Sequence, residues 1–312
     1  MVDVFISYKT EERDRCEPIA RRLRALGGFE VVCASRQAPD SADVTRLREA
    51  GFATVRADAL DRASLDRAFA GADAVFGVTN PFVGARWTGA SSAAPATDTD
   101  GEVTQGKNIA DACKACGAFL VFTSVASALD KTGVPTFDAK AAVEDHIRAI
   151  GLPCAIIAPV GFFENMRSPF AGIKQGVIPG LLKKGRKAQM IACDDIGYFA
   201  ARAIAGGPGA FAGTRLEIAG DELSADEQCA VLARLRGEEG KWKTSTPPDF
   251  VFKLFIPKAV GSLKTFLDER GCRVDIAALR AAHPELKSFE AWCVAEGLDK
   301  AVLAKPSLCA IT

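Results

Sequence analysis

Apolar positions in this chain fall into short runs separated by amphipathic segments, most clearly between Ala118 and Met166. Phe119 to Thr123 and Cys154 to Ala158 are apolar runs of strand length, and the segment from Phe137 to Ile150 between them has helical spacing. This reads as a β-α-β unit. Parallel strands joined by a helix need a right-handed crossover, so their carboxyl ends share the sheet edge where α/β proteins bind ligands. Ser124, Lys140 and the turn Pro159-Val160-Gly161-Phe162 are expected to converge there.

The same pattern predicts strands over Asp3 to Tyr8, Phe29 to Ala34, Thr54 to Arg56 and Asp73 to Thr79, with a helix from about Glu17 to Leu26. Gly84 to Gly101, rich in Gly, Ala, Ser and Thr, has no period and reads as a mobile loop, either a lid or padding. Helical spacing resumes from Glu102 through Val103, Ile109 and Ala112. Beyond Asn165 the pattern is irregular, and Ile178-Pro179-Gly180 and Lys183 to Lys187 read as loop. Cys193 to Tyr198 opens an Ala-rich helix with acids in its first turn, Leu216 to Ala219 reads as a strand, and Ser224 to Glu227 as a capping box. The expected division is residues 1–165 as a first domain, 166–300 as a smaller region interleaved with it, and 301–312 as a tail.

Composition narrows the function classes. The 312 residues are 48% apolar, enough for a large core in one large domain or two closely joined ones. Lys plus Arg and Asp plus Glu are 39 each, which gives no electrostatic reason to expect nucleic acid or an anionic membrane as partner. No apolar run approaches the roughly 20 residues of a membrane span, and Asp3 interrupts any signal-peptide pattern, so a soluble cytoplasmic protein is expected. The ten cysteines fit reduced, buried thiols better than a disulfide framework. Cys113-Lys114-Ala115-Cys116 falls at a helix end, whereas redox chemistry needs a strand-to-helix turn, so packing is the expected role. His146 and His283 are the only histidines and complete no metal site. The final Cys309-Ala310-Ile311-Thr312 has the form of a prenylation box, but with an unusual last residue and no polybasic run before it.

The segment Thr136-Phe137-Asp138-Ala139-Lys140 leading into Val143-Glu144, with Gly151-Leu152-Pro153 and Gly161-Phe162-Phe163-Glu164-Asn165, closely resembles the NmrA-like family. These are atypical short-chain dehydrogenase relatives that bind NADP in a Rossmann domain, several acting as redox sensors without turnover. The segment from Glu102 to Gly117, and His283-Pro284-Glu285-Leu286 with Phe289-Glu290-Ala291-Trp292, fit as well. The resemblance implies an α/β, Rossmann-like doubly wound parallel sheet with a smaller mixed C-terminal region, and NADP as ligand. It implies Ser35 and Arg36 at the 2′-phosphate, where the alternative is a solvated loop arginine, and Asp58 and Ala59 near adenine. Thr79, Asn80 and Pro81 would pass beneath the cofactor, Ser124 and Lys140 would meet its ribose or nicotinamide, and Pro159, Val160 and Phe162 would complete the cleft. Asp195-Ile196-Gly197 would pack the smaller domain onto the Rossmann domain.

The opening departs from that pattern. A Rossmann site sets glycines after its first strand because the diphosphate approaches the backbone closely, yet no glycine precedes Gly27. The family's fingerprint positions fall on Thr10, Arg13 and Cys16; Glu11, Glu12 and Asp14 repel phosphate, and Lys9, Arg13 and Arg15 offset this in part. Asp3 to Lys9, with Pro18-Ile19-Ala20 and Leu23, resembles the first strand and helix of a TIR domain over about a tenth of the chain. Both folds begin with a strand and a helix, so the sheet survives while its site is altered.

Hydride transfer to a carbonyl needs an acid for the developing alkoxide, supplied in short-chain dehydrogenases by a tyrosine four residues before a lysine. Thr136 holds that position, and it reads as the N-cap of a helix beginning at Phe137. Lys140 has three readings: contact with the nicotinamide ribose, a surface ion pair with Glu144 one turn on, or a catalytic base. His146 lies about 120° around the helix from Lys140 and reads as structural or exposed. Three functions remain open: a nucleotide-responsive regulator with a protein partner, an NADP-dependent reductase using Lys140, and a TIR-like interaction module or scaffold.

Overall fold

The computed structural model describes residues 2–8, 13–81, 97–167, 173, 176–245 and 258–299. Residues 84–96 of the expected loop and the tail over 301–312 lie outside them. In chain order the first strands are β1 (Val2–Tyr8), β2 (Phe29–Ser35), β3 (Ala53–Arg56), β4 (Ala74–Val78), β5 (Phe119–Thr123) and β6 (Cys154–Pro159). There follow β7 (Gly161–Phe162), β8 (Val177–Pro179), β9 (Lys187–Ile191), β10 (Arg215–Ile218), β11 (Asp221–Ser224) and β12 (Lys243–Ser245). The helices used below are α1 (Arg13–Leu26), α2 (Ala42–Glu49), α3 (Arg62–Ala68), α4 (Thr99–Cys116), α5 (Pro135–Ala149), α6 (Cys193–Phe211) and α7 (Ala225–Arg236).

Two compact units divide the chain: Met1–Val83, Thr97–Pro159 and Cys193–Ile218 in the first, Gly84–Ala96, Val160–Ala192 and Ala219–Thr312 in the second. The stretch Cys193–Ile218, expected in the smaller region, thus lies with the first unit.

Seven parallel strands form the sheet of the first unit in the order β10-β6-β5-β4-β1-β2-β3. Strands 3-2-1-4-5-6 follow the doubly wound Rossmann order, whose direction reverses between β1 and β4. Every residue of β4, β5 and β6 is buried, as expected of parallel strands covered on both faces. On one face Phe69, Ile109, Cys113, Val143 and Ile147 from helices α3, α4 and α5 pack onto Val75, Leu120 and Phe122. Gly106 lets α4 approach α5, because an added Cβ would overlap the Val143 side chain.

Elsewhere in this unit α1 packs along α6. Asp195-Ile196-Gly197 takes part in this contact within the first unit: a Cβ on Gly197 would lie 2.8 Å from Pro18 Cβ. Arg22 adds a 2.8 Å ion pair to Asp194.

In the second unit β7, β9 and β11 form one small sheet and β8 pairs with β12. Ile178 and Pro179 are therefore strand, not loop, and Lys187 opens β9. The Ser224–Glu227 capping box is present at the start of α7. Phe163, Phe289 and Trp292 form the aromatic centre of this unit's core.

Candidate nucleotide site

Parallel strand direction puts the ends of β2, β3, β4, β5 and β6 on one edge of the first unit's sheet. Ser35-Arg36, Asp58-Ala59, Thr79-Asn80-Pro81, Ser124 and Pro159 all follow or end these strands, so the expected residues of the first unit lie along that edge.

At the β2 end Ser35 is buried and its Oγ accepts from Gln37 N at 3.2 Å, shaping a tight turn. Arg36 beside it is half-buried and forms no hydrogen bond or ion pair among the described residues. Asp58 Oδ1 accepts from Leu60 N at 3.0 Å, and the Ala59 carbonyl accepts from Asn108 Nδ2 of α4 at 2.9 Å.

The Thr79-Asn80-Pro81 turn is held from α4. Gln105 clamps the Asn80 backbone from both sides, Oε1 accepting from its N–H at 3.2 Å and Nε2 donating to its carbonyl at 3.0 Å. One turn away, Thr79 Oγ1 donates to Glu102 Oε1 at 3.0 Å. Glu102 and Gln105 are both buried, three residues apart on the inner face of α4. That face runs through Glu102, Gln105, Gly106 and Ile109, whereas Val103, expected inside, is only half-buried. Their sequence signal is two polar residues, Glu102 and Gln105, at i and i+3 on the stripe that continues to Ile109.

Lys140 meets this cluster instead of Glu144. Its Nζ lies 3.1 Å from Glu102 Oε1, donates to Thr79 Oγ1 at 2.6 Å, and reaches the carbonyls of Thr79 and Thr123 at 3.3 Å each. An ammonium has three N–H bonds, and four acceptors surround this one. The side chain is 11% exposed and Nζ also sits 5.4 Å from the centre of the Phe122 ring. The surface-pair reading is therefore overturned: Lys140 points along α5 toward α4 and the strand ends, away from its i+4 neighbour.

Glu144 serves a second buried network. It accepts from Ser124 Oγ, from Arg215 Nε at 3.0 Å and from Arg148 Nη2 at 3.0 Å. Arg215 also donates to Glu217 at 2.6 Å and to the Val125 carbonyl at 3.1 Å, while Glu217 accepts from Ser127 N at 2.8 Å. Burial works against the Arg215 charge, yet Glu217 and Glu144 hold its pKa above the usual guanidinium value. The network pins the loop after β5, where Ser127 keeps a left-handed backbone at φ 62°.

Thr136 is not an N-cap. Helix α5 begins two residues earlier than expected, with Val134 at the cap position and Pro135 opening the first turn. His146 pairs with Asp111 at 2.7 Å, joining α5 to α4 as a structural residue. At the β6 end the Pro159 carbonyl accepts from Ala126 N at 2.9 Å. Val160 and Phe162 belong to the second unit, where Val160 is buried and Phe162 pairs with Ile191. Of the degenerate fingerprint, Arg13 opens α1 and Cys16 lies in its first turn; Thr10 lies outside the described residues.

These residues fit a dinucleotide at its two ends. An arginine without a partner among the described residues at the β2 end suits a 2′-phosphate, and a rigid hydroxyl- and amine-bearing floor lies at the β4 and β5 ends. Among the described residues no group of three His, Cys, Asp or Glu could hold a metal ion, and no helix is long and apolar enough to cross a membrane. A cleft of about 450 Å³ in the second unit, lined by Asp226, Cys229, Trp242 and Lys243, is open, and its Thr244 and Asp226 bond each other.

Cys113, Cys154 and Cys293 are buried packing groups. Burial, then neighbouring Cys116 and Cys154, pushes Cys113 up, and burial pushes Cys154 and Cys293 to about 12. Their folded-state values exceed the 9.0 of an exposed thiol, so between pH 9 and about 12 the native state holds protons that the unfolded chain releases. Stability will fall as the pH rises through that window. At neutral pH iodoacetamide followed by mass spectrometry should leave these three cysteines unmodified in the native protein and label them in urea; native labelling would contradict their burial.

Comparison with known proteins agrees with this architecture. The profile of the NmrA-like family matches residues 18–269, beginning after β1 and the first turn of α1. The crystal structure of NmrA, a negative transcriptional regulator, is similar over 96% of this chain and 95% of its own at 14% identity, with a TM-score of 0.70. An NADPH-dependent quinone oxidoreductase from Escherichia coli, solved with NADPH, is similar over 94% and 99% at 19% identity, TM-score 0.72. Citrobacter sp. triphenylmethane reductase, solved with NADP(H), is similar over 93% and 98% at 14% identity, TM-score 0.68. At such identities these likenesses establish the fold, and NmrA itself has been solved with NAD and with NADP. With a family profile spanning most of its length and a doubly wound sheet of matching form, this chain belongs to the NmrA-like family.

Proposed function

We propose that this protein is a cytoplasmic, nucleotide-responsive regulator that binds NADP(H) along the strand-end edge and passes its occupancy to a protein partner, without efficient turnover. The observation that carries this reading is that Lys140 is held in place by Glu102, Thr79 and the Thr123 carbonyl, one helical turn from a position where Thr136 replaces a phenol. No acid of the usual kind stands there. Tyr198 packs edge-on against Phe199 in α6, with Arg22 over its ring. The described cysteines are free thiols, which suits a reducing compartment.

When bound, NADPH would supply a hydride; this chain's residues would orient it, with Arg36 at the 2′-phosphate, Asp58 and Ala59 near adenine, and Thr79, Ser124 and Lys140 at the nicotinamide ribose. Arg36→Ala tests the assignment. It should weaken NADP(H) about tenfold, a charge-assisted contact, and leave NAD(H) within about twofold. Equal loss for both nucleotides would remove Arg36 from the site.

A reductase reading has one observation in its favour, the family's shared fold with NADPH-dependent reductases. It requires NADPH oxidation with quinones or triphenylmethane dyes that disappears in Lys140→Ala. A TIR-like interaction module is the third reading, and it would have to use a strand, β1, that lies between β2 and β4 in the parallel sheet.

A further inference from the structure

Glu102 has no assigned part in the site, yet its burial and bonding are not those of an ordinary helix acid. It occupies the first turn of α4, where carboxylates favour the helix dipole from an exposed position. Here the side chain is 1% exposed. Its Oε1 takes both Lys140 Nζ at 3.1 Å and Thr79 Oγ1 at 3.0 Å, while its Oε2 has no hydrogen-bond partner among the described residues. Thr123 Oγ1, on the strand whose last carbonyl also receives Lys140, is likewise buried without a partner among the described residues. Buried polar atoms without partners are uncommon.

A carboxylate placed only to stabilise the fold would be fully bonded or replaced by an apolar group, since desolvating it costs more than one ion pair returns. What this arrangement secures is position. One oxygen fixes the amine of α5 and the hydroxyl of the β4 turn together, and Gln105, one helical turn on, fixes the backbone of the next residue. Lys140 and Thr79, both assigned to the nicotinamide ribose above, are both held by α4.

We propose that Glu102 is a positioning residue for the nicotinamide half of the dinucleotide: through Oε1 it orients Lys140 and Thr79 so that their polar atoms face the ribose. The inference rests on the nucleotide-site reading above. It concerns the β4 and β5 ends alone, which separates it from the adenosine end at β2 and β3.

The test uses the full chain and two probes. NADPH spans both ends of the site, and adenosine 2′,5′-bisphosphate reaches only the β2 and β3 ends. Glu102→Ala should weaken NADPH about tenfold while leaving the bisphosphate within about twofold. Glu102→Gln keeps an acceptor oxygen for Lys140 and Thr79 and should restore NADPH binding to within about threefold. Because Glu102→Ala leaves a buried ammonium without its counter-charge, the double variant Glu102→Leu/Lys140→Met, which removes both charges, provides the control for folding. It should fold, bind the bisphosphate normally and lose NADPH affinity as Glu102→Ala does.

Unchanged NADPH affinity in Glu102→Ala, or in the double variant, would overturn the positioning role. So would equal loss of both probes, or no recovery in Glu102→Gln. Failure of the wild-type protein to bind either probe would overturn the nucleotide-site reading itself, a distinct result.

Discussion

A chain lacking residues 1–27 will not fold. Strand β1 lies inside the parallel sheet, with all seven residues from Val2 to Tyr8 in register with Phe29 to Ser35 on one side and Val4 to Ile6 paired with β4 on the other. Its removal would leave two interior edges with unpaired backbone groups, each expensive to bury. The same deletion takes Ile19, Ala20 and Leu23 of α1 from the core, and with them the surface on which α6 packs. Circular dichroism against urea should show no cooperative transition for the truncated chain. A cooperative transition with native-like ellipticity would mean that the opening strand and helix are an appended module, as a TIR-like fusion would require.

Glu144→Ala should be the most damaging single substitution near the site, costing about 3 kcal/mol. The side chain is fully buried and is the shared acceptor for Ser124, Arg148 and Arg215. Its loss leaves Arg215 with Glu217 and the Val125 carbonyl but without the partner for Nε, in a setting where burial already opposes the charge. Glu144→Gln keeps acceptors in place and should cost roughly half as much. Urea midpoints at constant slope provide the measurement; a cost below about 1 kcal/mol for the alanine variant would show that the network is not a stabilising one.

The sequence pattern revealed elements wherever one element alone sets the local rule. The expected bounds of β5 match those observed, and β6 differs by one residue, because fully buried parallel strands are uninterrupted apolar runs. The box at Ser224 was readable because both of its partners lie within four residues. The short strands β8 and β9 carry Pro179, Lys187 and Gln189, and no apolar run announces them. Helix α4 starts at Thr99 because Asp98 caps it, although Thr99-Asp100-Gly101 continues the composition of the preceding loop.

Site legibility had a similar limit. The positions at strand ends were readable, since they follow from the strands. The partners of Lys140 were not: helical spacing offers Glu144, but three-dimensional packing brings Glu102 to Lys140 and gives Glu144 to Arg215, 71 residues away. An i, i+4 pair is available to any helix, and tertiary contacts decide whether it forms. An acid in the first turn of a helix is ordinarily exposed, so nothing in the sequence marks Glu102 as buried.

The edge formed by β2, β3, β4 and β5 is proposed to bind a nicotinamide dinucleotide although the fingerprint positions Thr10, Arg13 and Cys16 carry no glycine. Isothermal titration calorimetry of the full chain with NADPH measures it directly. The account predicts one saturable site, with NADPH bound more tightly than NADH. Absence of any binding heat at millimolar NADPH, with no rise in melting temperature, would contradict it.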